Sequence, residues 1–111
     1  MQTTLPQDKK LTVECRVEGG CLGPVGDNYV EGFCHFVQKE FSSWEAELLN
    51  WQVVPRQDKA LPELQYKLVG RNLSRGQARK YLESFGKNID EFEAEIEETL
   101  IVLIEEYMSK Q

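Results

Sequence analysis

The feature that most constrains the fold is a strict alternation of side chains in residues 11–18, LTVECRVE. Apolar residues occupy the odd positions and polar residues the even ones, in the order Leu11, Thr12, Val13, Glu14, Cys15, Arg16, Val17 and Glu18. Successive side chains of a strand point to opposite faces, so this run predicts a strand with one buried face. The glycine stretch, residues 19–26 from Gly19 to Gly26, follows at once and is expected to end the strand.

An amphipathic helix is predicted after the glycine stretch, with Asp27 or Asn28 as its capping residue and an end near residue 43. At about 100° per residue, its apolar side chains fill one continuous arc: Tyr29, Val30, Phe33, Cys34, Phe36, Val37 and Phe41. The polar side chains fill the opposite arc: Glu31, His35, Gln38 and Lys39. The helix therefore supplies an aromatic-rich layer that can cover the buried face of the first strand.

Two further alternating runs predict a second and a third strand. In ELLNWQVVP and PELQYKLVG every second residue of the core run is apolar: Leu49, Trp51 and Val53 in the first, and Leu64, Tyr66 and Leu68 in the second. The intervening RQDKAL, between Pro55 and Pro62, predicts a loop that joins the two strands as a hairpin. Gly70 is expected to end the last strand.

Capping signals predict two helices in the last third of the chain. Ser74 followed by Gln77 matches a capping box, and Gly86 is suited to end that short helix. Asn88 with Glu91 repeats the signal and opens a long final helix.

The order of the predicted elements is β-α-β-β-α-α, which indicates an α+β fold. A helix between the first two strands makes them parallel, and the hairpin adds an antiparallel neighbour. We therefore expect a small two-layer domain, with a mixed three-stranded sheet and the helices packed on one face. Residues 11–111 would form this single domain, preceded by a flexible N-terminal segment, residues 1–10.

Composition is typical of a cytoplasmic protein with reduced thiols. The longest apolar run, LIVLI, has five residues, far below the roughly 20 needed to span a bilayer. The polar start MQTTLPQDKK lacks the apolar stretch of a signal peptide. Three cysteines are an odd number, which indicates free thiols rather than a disulfide framework. We expect no membrane association and no cofactor.

The glycine stretch is a candidate site because it lies between a strand and a helix, where α/β proteins often bind ligands. It lacks both G-x-G-x-x-G and the lysine of a phosphate-binding loop, which favours a plain connector. Cys21 is a weak candidate for catalysis, since a helix N-terminus lowers a thiol pKa. The acidic Glu18 and Asp27 oppose that effect. His35, the candidate base, lies roughly 12 Å along the helix from its start.

A small-ligand or thiol-dependent protein that uses the glycine stretch and Cys21 is the alternative function. Zinc binding by Cys15, Cys21, Cys34 and His35 is disfavoured because structural zinc sites use closely spaced ligand pairs. Cys15 and Cys34 fit buried apolar positions better. No metal site is predicted.

Basic residues concentrate where the second helix begins, namely Arg71, Arg75, Arg79 and Lys80. With the N–H groups of a helix start they could hold an anion, or they could pair with the acidic helix that follows. The net charge of −6 disfavours nucleic acid as a partner, because binding to the phosphate backbone depends on positive charge.

The final helix carries the clearest functional signal. Residues 88–109 contain eight acidic residues and no Lys or Arg. The polar face presents four glutamates, with two apolar residues among them: Glu91, Glu95, Glu98, Glu105, Ile101 and Val102. An amphipathic helix needs no apolar residue at the centre of its solvent-exposed face. We therefore expect this face to contact protein, either a second copy in a homodimer or a basic surface of another chain.

Two alternatives stay open for Ile101 and Val102. Scattered apolar residues are common on protein surfaces, and a helix buried on two sides near its end would also explain them. A more specific version of this hypothesis is an inhibitor whose carboxylates imitate the negative charge of nucleic acid and so bind a basic enzyme. The function expected from the sequence is a small interaction or regulatory domain without catalysis.

Overall fold

The computed structural model describes residue 6, residues 9–23 and residues 26–110, except for the side chains of Cys21 and Asp27. Within this part of the chain the regular elements are β1 (Leu11–Val17), α1 (Val30–Phe41), β2 (Leu49–Pro55), β3 (Leu64–Leu68), β4 (Arg71–Leu73), α2 (Arg75–Glu83) and α3 (Ile89–Met108). The predicted α+β class is confirmed, but the described sheet has four strands rather than three. The domain limits at residues 1–10 and 11–111 stay predictions, because most of the first segment lies outside the described residues.

The strands lie in the order β2-β1-β3-β4. β1 pairs with β2 in parallel, with Val13 opposite Trp51, as expected for a helical crossover. β1 also pairs with β3, antiparallel, with Val13 opposite Tyr66. The predicted hairpin between β2 and β3 is therefore wrong, because β1 lies between them. Alternation specifies which face of a strand is buried but not which neighbour the strand has, so the pattern is the same in both arrangements.

The connection between β2 and β3 passes the end of β1 instead of turning back tightly. Its residues 56–63 are organised around Arg56, whose Nη2 donates to the carbonyl oxygens of Lys59 at 3.0 Å and Leu61 at 2.9 Å. Arg16 of β1 donates to the carbonyl oxygen of Pro62 at 2.7 Å, which ties the connection to the strand that it passes. Strands on either side of a common neighbour lie about 10 Å apart, too far for a two-residue turn.

β4 is a correction to the expected sheet, which ended at Gly70. Val69 and Gly70 have φ values of 52° and 75°, as the two central residues of a type I′ turn require. Leu68 lies opposite Arg71 across this turn, so the chain reverses and pairs again. The run RNL is too short to show alternation, and for that reason the sequence pattern did not predict a strand there.

The core lies between one face of the sheet and the helices. The buried strand residues share that face: Leu11, Val13, Cys15 and Val17 of β1, Leu49, Trp51 and Val53 of β2, and Tyr66 of β3. Residues of all three helices join them in one cluster: Phe33, Cys34, Val37, Phe41, Ala78, Leu82, Ile89, Phe92, Ile96 and Leu103. Burial of each large side chain contributes roughly 1.5–3 kcal/mol, so this cluster fixes the helices against the sheet.

Two of the three helices begin where their capping signals predicted. At α2 the capping box is complete, since the Gln77 N–H donates to Ser74 Oγ at 3.1 Å and the Ser74 N–H donates to Gln77 Oε1 at 2.9 Å. Gly86, with φ at 75°, follows the end of α2 as expected. At α3 the N–H of Glu91 donates to Asn88 Oδ1 at 3.1 Å.

The start of α1 differs from the prediction. The helix begins at Val30, and Tyr29 stands in the capping position without a side-chain capping bond. Asp27 and Asn28 instead belong to a short 3-10 turn, Gly26–Asn28, which moves the start of the helix by one or two residues. The expectation that either of them caps α1 is therefore wrong.

Candidate functional site

The position of α3 is set by its inward face. Ile89, Phe92, Ile96 and Leu103 are buried on this face. The Phe92 ring lies 5.6 Å from the Trp44 ring and 5.8 Å from the Trp51 ring, measured between centroids. This aromatic contact anchors the first half of α3 on β2 and on the segment that precedes it.

The second half of α3 is held against α1 by Tyr107. Its ring lies 5.5 Å from the rings of both Phe33 and Phe36. Gly32 of α1 makes this approach possible, because a Cβ atom there would come within 2.4 Å of the Tyr107 hydroxyl. α3 is thus packed against the rest of the fold in both of its halves, which sets the direction of its outward face.

The outward face of α3 is apolar at its centre. Ile101 is 59% exposed and Val102 is 60% exposed. The four glutamates predicted to surround them are exposed as well: Glu91, Glu95, Glu98 and Glu105. Burial of α3 on two sides therefore does not account for Ile101 and Val102. We call these six residues the α3 outer face.

The carboxylates of the α3 outer face are uncompensated within the described part of the chain. None of the four glutamates forms an ion pair with a described residue. Glu105 also lies close to the C-terminal end of α3, whose last turn contains no basic residue. The helix dipole is negative at that end and disfavours a carboxylate there. The outer face therefore has a negative potential that a cation would relieve.

A cavity of about 320 Å³ lies at the N-terminal end of the same face. Glu91, Phe92 and Glu95 line it from α3, and Trp44 and Glu45 line it from the segment between α1 and β2. Sequence reasoning missed Trp44 and Glu45, because they lie in a turn where no periodic pattern shows which way a side chain points.

Arg75, one of the four predicted anion-binding residues, is engaged within the fold. Its Nη2 lies 2.6 Å from Asp90 Oδ1 and 3.0 Å from Glu93 Oε1, which joins α2 to α3. The hydrogen bonds from Arg75 to Glu93 and Asp90 raise the pKa of Arg75, and the bond from Arg75 holds the pKa of Asp90 below its usual value. Arg75 therefore pairs with the acidic helix.

The other three basic residues are exposed: Arg71, Arg79 and Lys80. None of their side chains forms a hydrogen bond or an ion pair with a residue in the described ranges. No contact brings the four basic residues together around a common point. The structure thus shows a paired Arg75 and three solvated cations rather than an assembled anion site.

The glycine stretch is packed closely where the structure describes it. Leu22 is buried, and the turn to which it belongs, Gly19–Leu22, contacts α3. A Cβ atom on Gly26 would lie 1.7 Å from the carbonyl oxygen of Gly19. The 3-10 turn Gly26–Asn28 therefore touches, through its backbone, a preceding 3-10 turn at Gly19–Leu22. Residues 24 and 25 and the side chain of Cys21 lie outside the described residues, so the reactivity predicted for Cys21 stays a prediction.

The two described thiols are unsuited to thiolate chemistry at neutral pH. Burial raises the pKa of Cys15 to about 12, with the nearby Cys34 adding to the effect. Burial also raises the pKa of Cys34 to about 11. His35 is exposed on α1. Among the described side chains, no group of three or more His, Cys, Asp or Glu is arranged to hold a metal ion.

No known protein family matches this sequence, and comparisons with curated proteins and with solved structures find no match. Within the described ranges, no helix has the length and apolar character to span a bilayer.

Proposed function

We propose that this chain is a non-catalytic protein-interaction domain whose α3 outer face binds a basic surface of another protein. The observation that carries the proposal is the exposure of Ile101 and Val102 between Glu98 and Glu105, on a helix face whose four glutamates form no ion pair with a described residue. Burial of the exposed part of each apolar side chain on binding would contribute roughly 1–2 kcal/mol. An apolar centre with a charged rim is the usual arrangement of a specific protein interface.

Charge selects the kind of partner. A basic surface would place cations against Glu91, Glu95, Glu98 and Glu105 and would accelerate association. The cavity beside Trp44 extends the same face, and its lining includes three carboxylates and one ammonium, that of Lys87. Lys87 is already paired with Glu45 at 2.6 Å, which leaves Glu91 and Glu95 for a cation of the partner.

Self-association through this face is disfavoured by the same charges. In a two-fold symmetric dimer each patch meets its own copy. The α3 outer face would then bring carboxylates against carboxylates, with no Lys or Arg in residues 88–109 to compensate. We therefore expect the isolated chain to be a monomer, which size exclusion with light scattering measures directly.

A binding titration tests the proposal. The probe is a synthetic amphipathic helical peptide with leucines along one face and lysines around them, titrated calorimetrically into the chain. Val102→Glu is expected to weaken binding by about tenfold or more. The matched control is Val54→Glu on the sheet, where Val54 is 36% exposed; it should leave the affinity unchanged.

The direction in which Val102→Glu changes the peptide affinity distinguishes binding to the apolar centre of the α3 outer face from attraction by charge alone. The substitution adds a negative charge, so binding driven by charge alone would become tighter. Tighter or unchanged binding of the peptide would contradict the proposal. A homodimer of the wild-type chain that Val102→Glu dissociates would also contradict it, because a second copy would then be the occupant.

A further inference from the structure

Near the middle of β2, the outer edge of the sheet is closed by one side chain of α1, that of Gln38. The strand order places β2 at the edge, with β1 as its neighbour in the sheet. Gln38 Nε2 donates to the carbonyl oxygen of Trp51 at 2.8 Å, and the N–H of Val53 donates to Gln38 Oε1 at 2.9 Å. The primary amide thus makes the donor and acceptor pair that a neighbouring strand would make.

We propose that Gln38 stands in for a further strand and thereby blocks pairing of β2 with β2 of a second copy of this chain. An edge strand with free backbone groups is a template for pairing with another chain, and proteins protect such edges. On this edge of β2 the Leu49 N–H already donates to the carbonyl oxygen of Glu45 at 2.9 Å, and Pro55 has no N–H. Pairing with a second copy would therefore have to use Trp51 and Val53, the two residues that Gln38 occupies. The opposite edge, β4, has three residues and is protected by its shortness.

Open space lies beside the C-terminal end of β2. A cavity of about 490 Å³ follows this edge, lined by residues of α1 on one side and of β2 on the other: Cys34, His35, Gln38, Val53, Val54 and Pro55. Gln38 crosses from α1 to β2, and Nε2 is held in place by a further contact with Ser42 Oγ at 3.1 Å. A strand could approach Trp51 and Val53 only after this amide has left.

Three variants test the proposal by light scattering over a range of concentrations. Gln38→Leu removes both hydrogen bonds and leaves the edge open, so it should raise the dimerisation constant by at least about tenfold. Gln38→Lys removes the acceptor of the Val53 N–H but places a charge at the edge, which opposes pairing, and should remain monomeric. Gln52→Leu makes the same apolar change at an exposed position of β2 and should also remain monomeric.

Amide hydrogen exchange at Val53 gives a second measurement. In dilute Gln38→Leu the Val53 N–H should exchange at least about tenfold faster than in the wild type, since its acceptor is gone. At high concentration it should become protected again as β2 pairs with its copy.

A folded Gln38→Leu variant that stays monomeric would overturn the proposal. Dimerisation of Gln38→Lys or Gln52→Leu to the same extent would overturn it as well, because loss of stability or added apolar area would then be the cause. Should Gln38→Leu fail to fold, Gln38→Ala is measured in the same way, and a monomeric Gln38→Ala overturns the proposal.

Discussion

The hydroxyl of Tyr66 donates a hydrogen bond of 2.6 Å to Oε2 of Glu93 and thereby joins β3 to α3. The other oxygen of the same carboxylate accepts from Arg75 of α2 at 3.0 Å. The partly buried carboxylate of Glu93 therefore links α3, which presents the α3 outer face, to β3 and to α2. Burial of Tyr66 and its bond to Glu93 raise the pKa of the phenol, so the hydroxyl remains a donor throughout the neutral range.

Tyr66→Phe is expected to lower the free energy of unfolding by about 1.5 kcal/mol, since it removes a hydrogen bond to a charged group. Glu93 keeps Arg75 as a partner, which limits the loss. Urea denaturation measures the change. The control is Tyr29→Phe, because the Tyr29 hydroxyl has no hydrogen bond to a described residue. Equal stability of the two variants would show that the bond contributes nothing.

The contact between Gly26 and Gly19 predicts a large difference between two glycine substitutions. Gly26→Ala would place a Cβ atom 1.7 Å from the carbonyl oxygen of Gly19, so it should destabilise the fold by about 2 kcal/mol or more. Gly20→Ala meets no atom within 4 Å and should change stability by less than about 0.5 kcal/mol. Thermal or urea denaturation compares them, and similar values for both would contradict the close packing of the two turns.

Val69 predicts a stabilising substitution. It is 68% exposed and has a φ of 52°, a backbone conformation that a β-branched residue tolerates poorly. Val69→Asn creates Asn-Gly, the preferred pair of a type I′ turn, and should raise the unfolding free energy by about 1 kcal/mol. Val54→Asn lies in a strand without this strain and should be neutral or destabilising. If Val69→Asn is no more stable than the wild type, the turn is not strained.

The buried thiols predict a characteristic pH dependence of alkylation. With pKa values of about 12 for Cys15 and about 11 for Cys34, the thiolate of Cys34 at pH 8 should be about a hundredfold scarcer than in the unfolded chain. Its rate of reaction with iodoacetamide should still rise tenfold per pH unit at pH 9, where an ordinary thiol begins to level off. Mass spectrometry resolves each site, and the chain in urea is the control. A native rate equal to the unfolded rate at pH 8 would refute the prediction.

The sequence predicted those parts of the structure that depend on local pattern. Alternation around Val13 indicated the buried face of β1, and the signals at Ser74 and Asn88 located the starts of α2 and α3. Periodicity also placed Ile101 and Val102 on the outward face of α3, where both are exposed.

The remainder depends on tertiary arrangement, which no local pattern records. β1 lies between β2 and β3 in the sheet. Alternation of apolar and polar residues shows which face of each strand is buried, but it does not show which strands are neighbours. Gln38 belongs by periodicity to the polar arc of α1, and only the position of β2 at the sheet edge gives its amide two backbone partners. Trp44 and Glu45 lie beside the α3 outer face but belong to the turn between α1 and β2. In a turn the side chains follow no regular repeat, so the sequence did not indicate where these two would point.

The measurement that tests the proposed function most directly is a map of amide resonance shifts in the ¹⁵N-labelled chain as the basic amphipathic peptide is added. We predict the largest shifts in residues 91–105 of α3, with smaller shifts around Trp44 and Glu45. Shifts concentrated on the sheet or around Arg71, Arg79 and Lys80, or spread evenly over all acidic residues, would contradict binding through the α3 outer face.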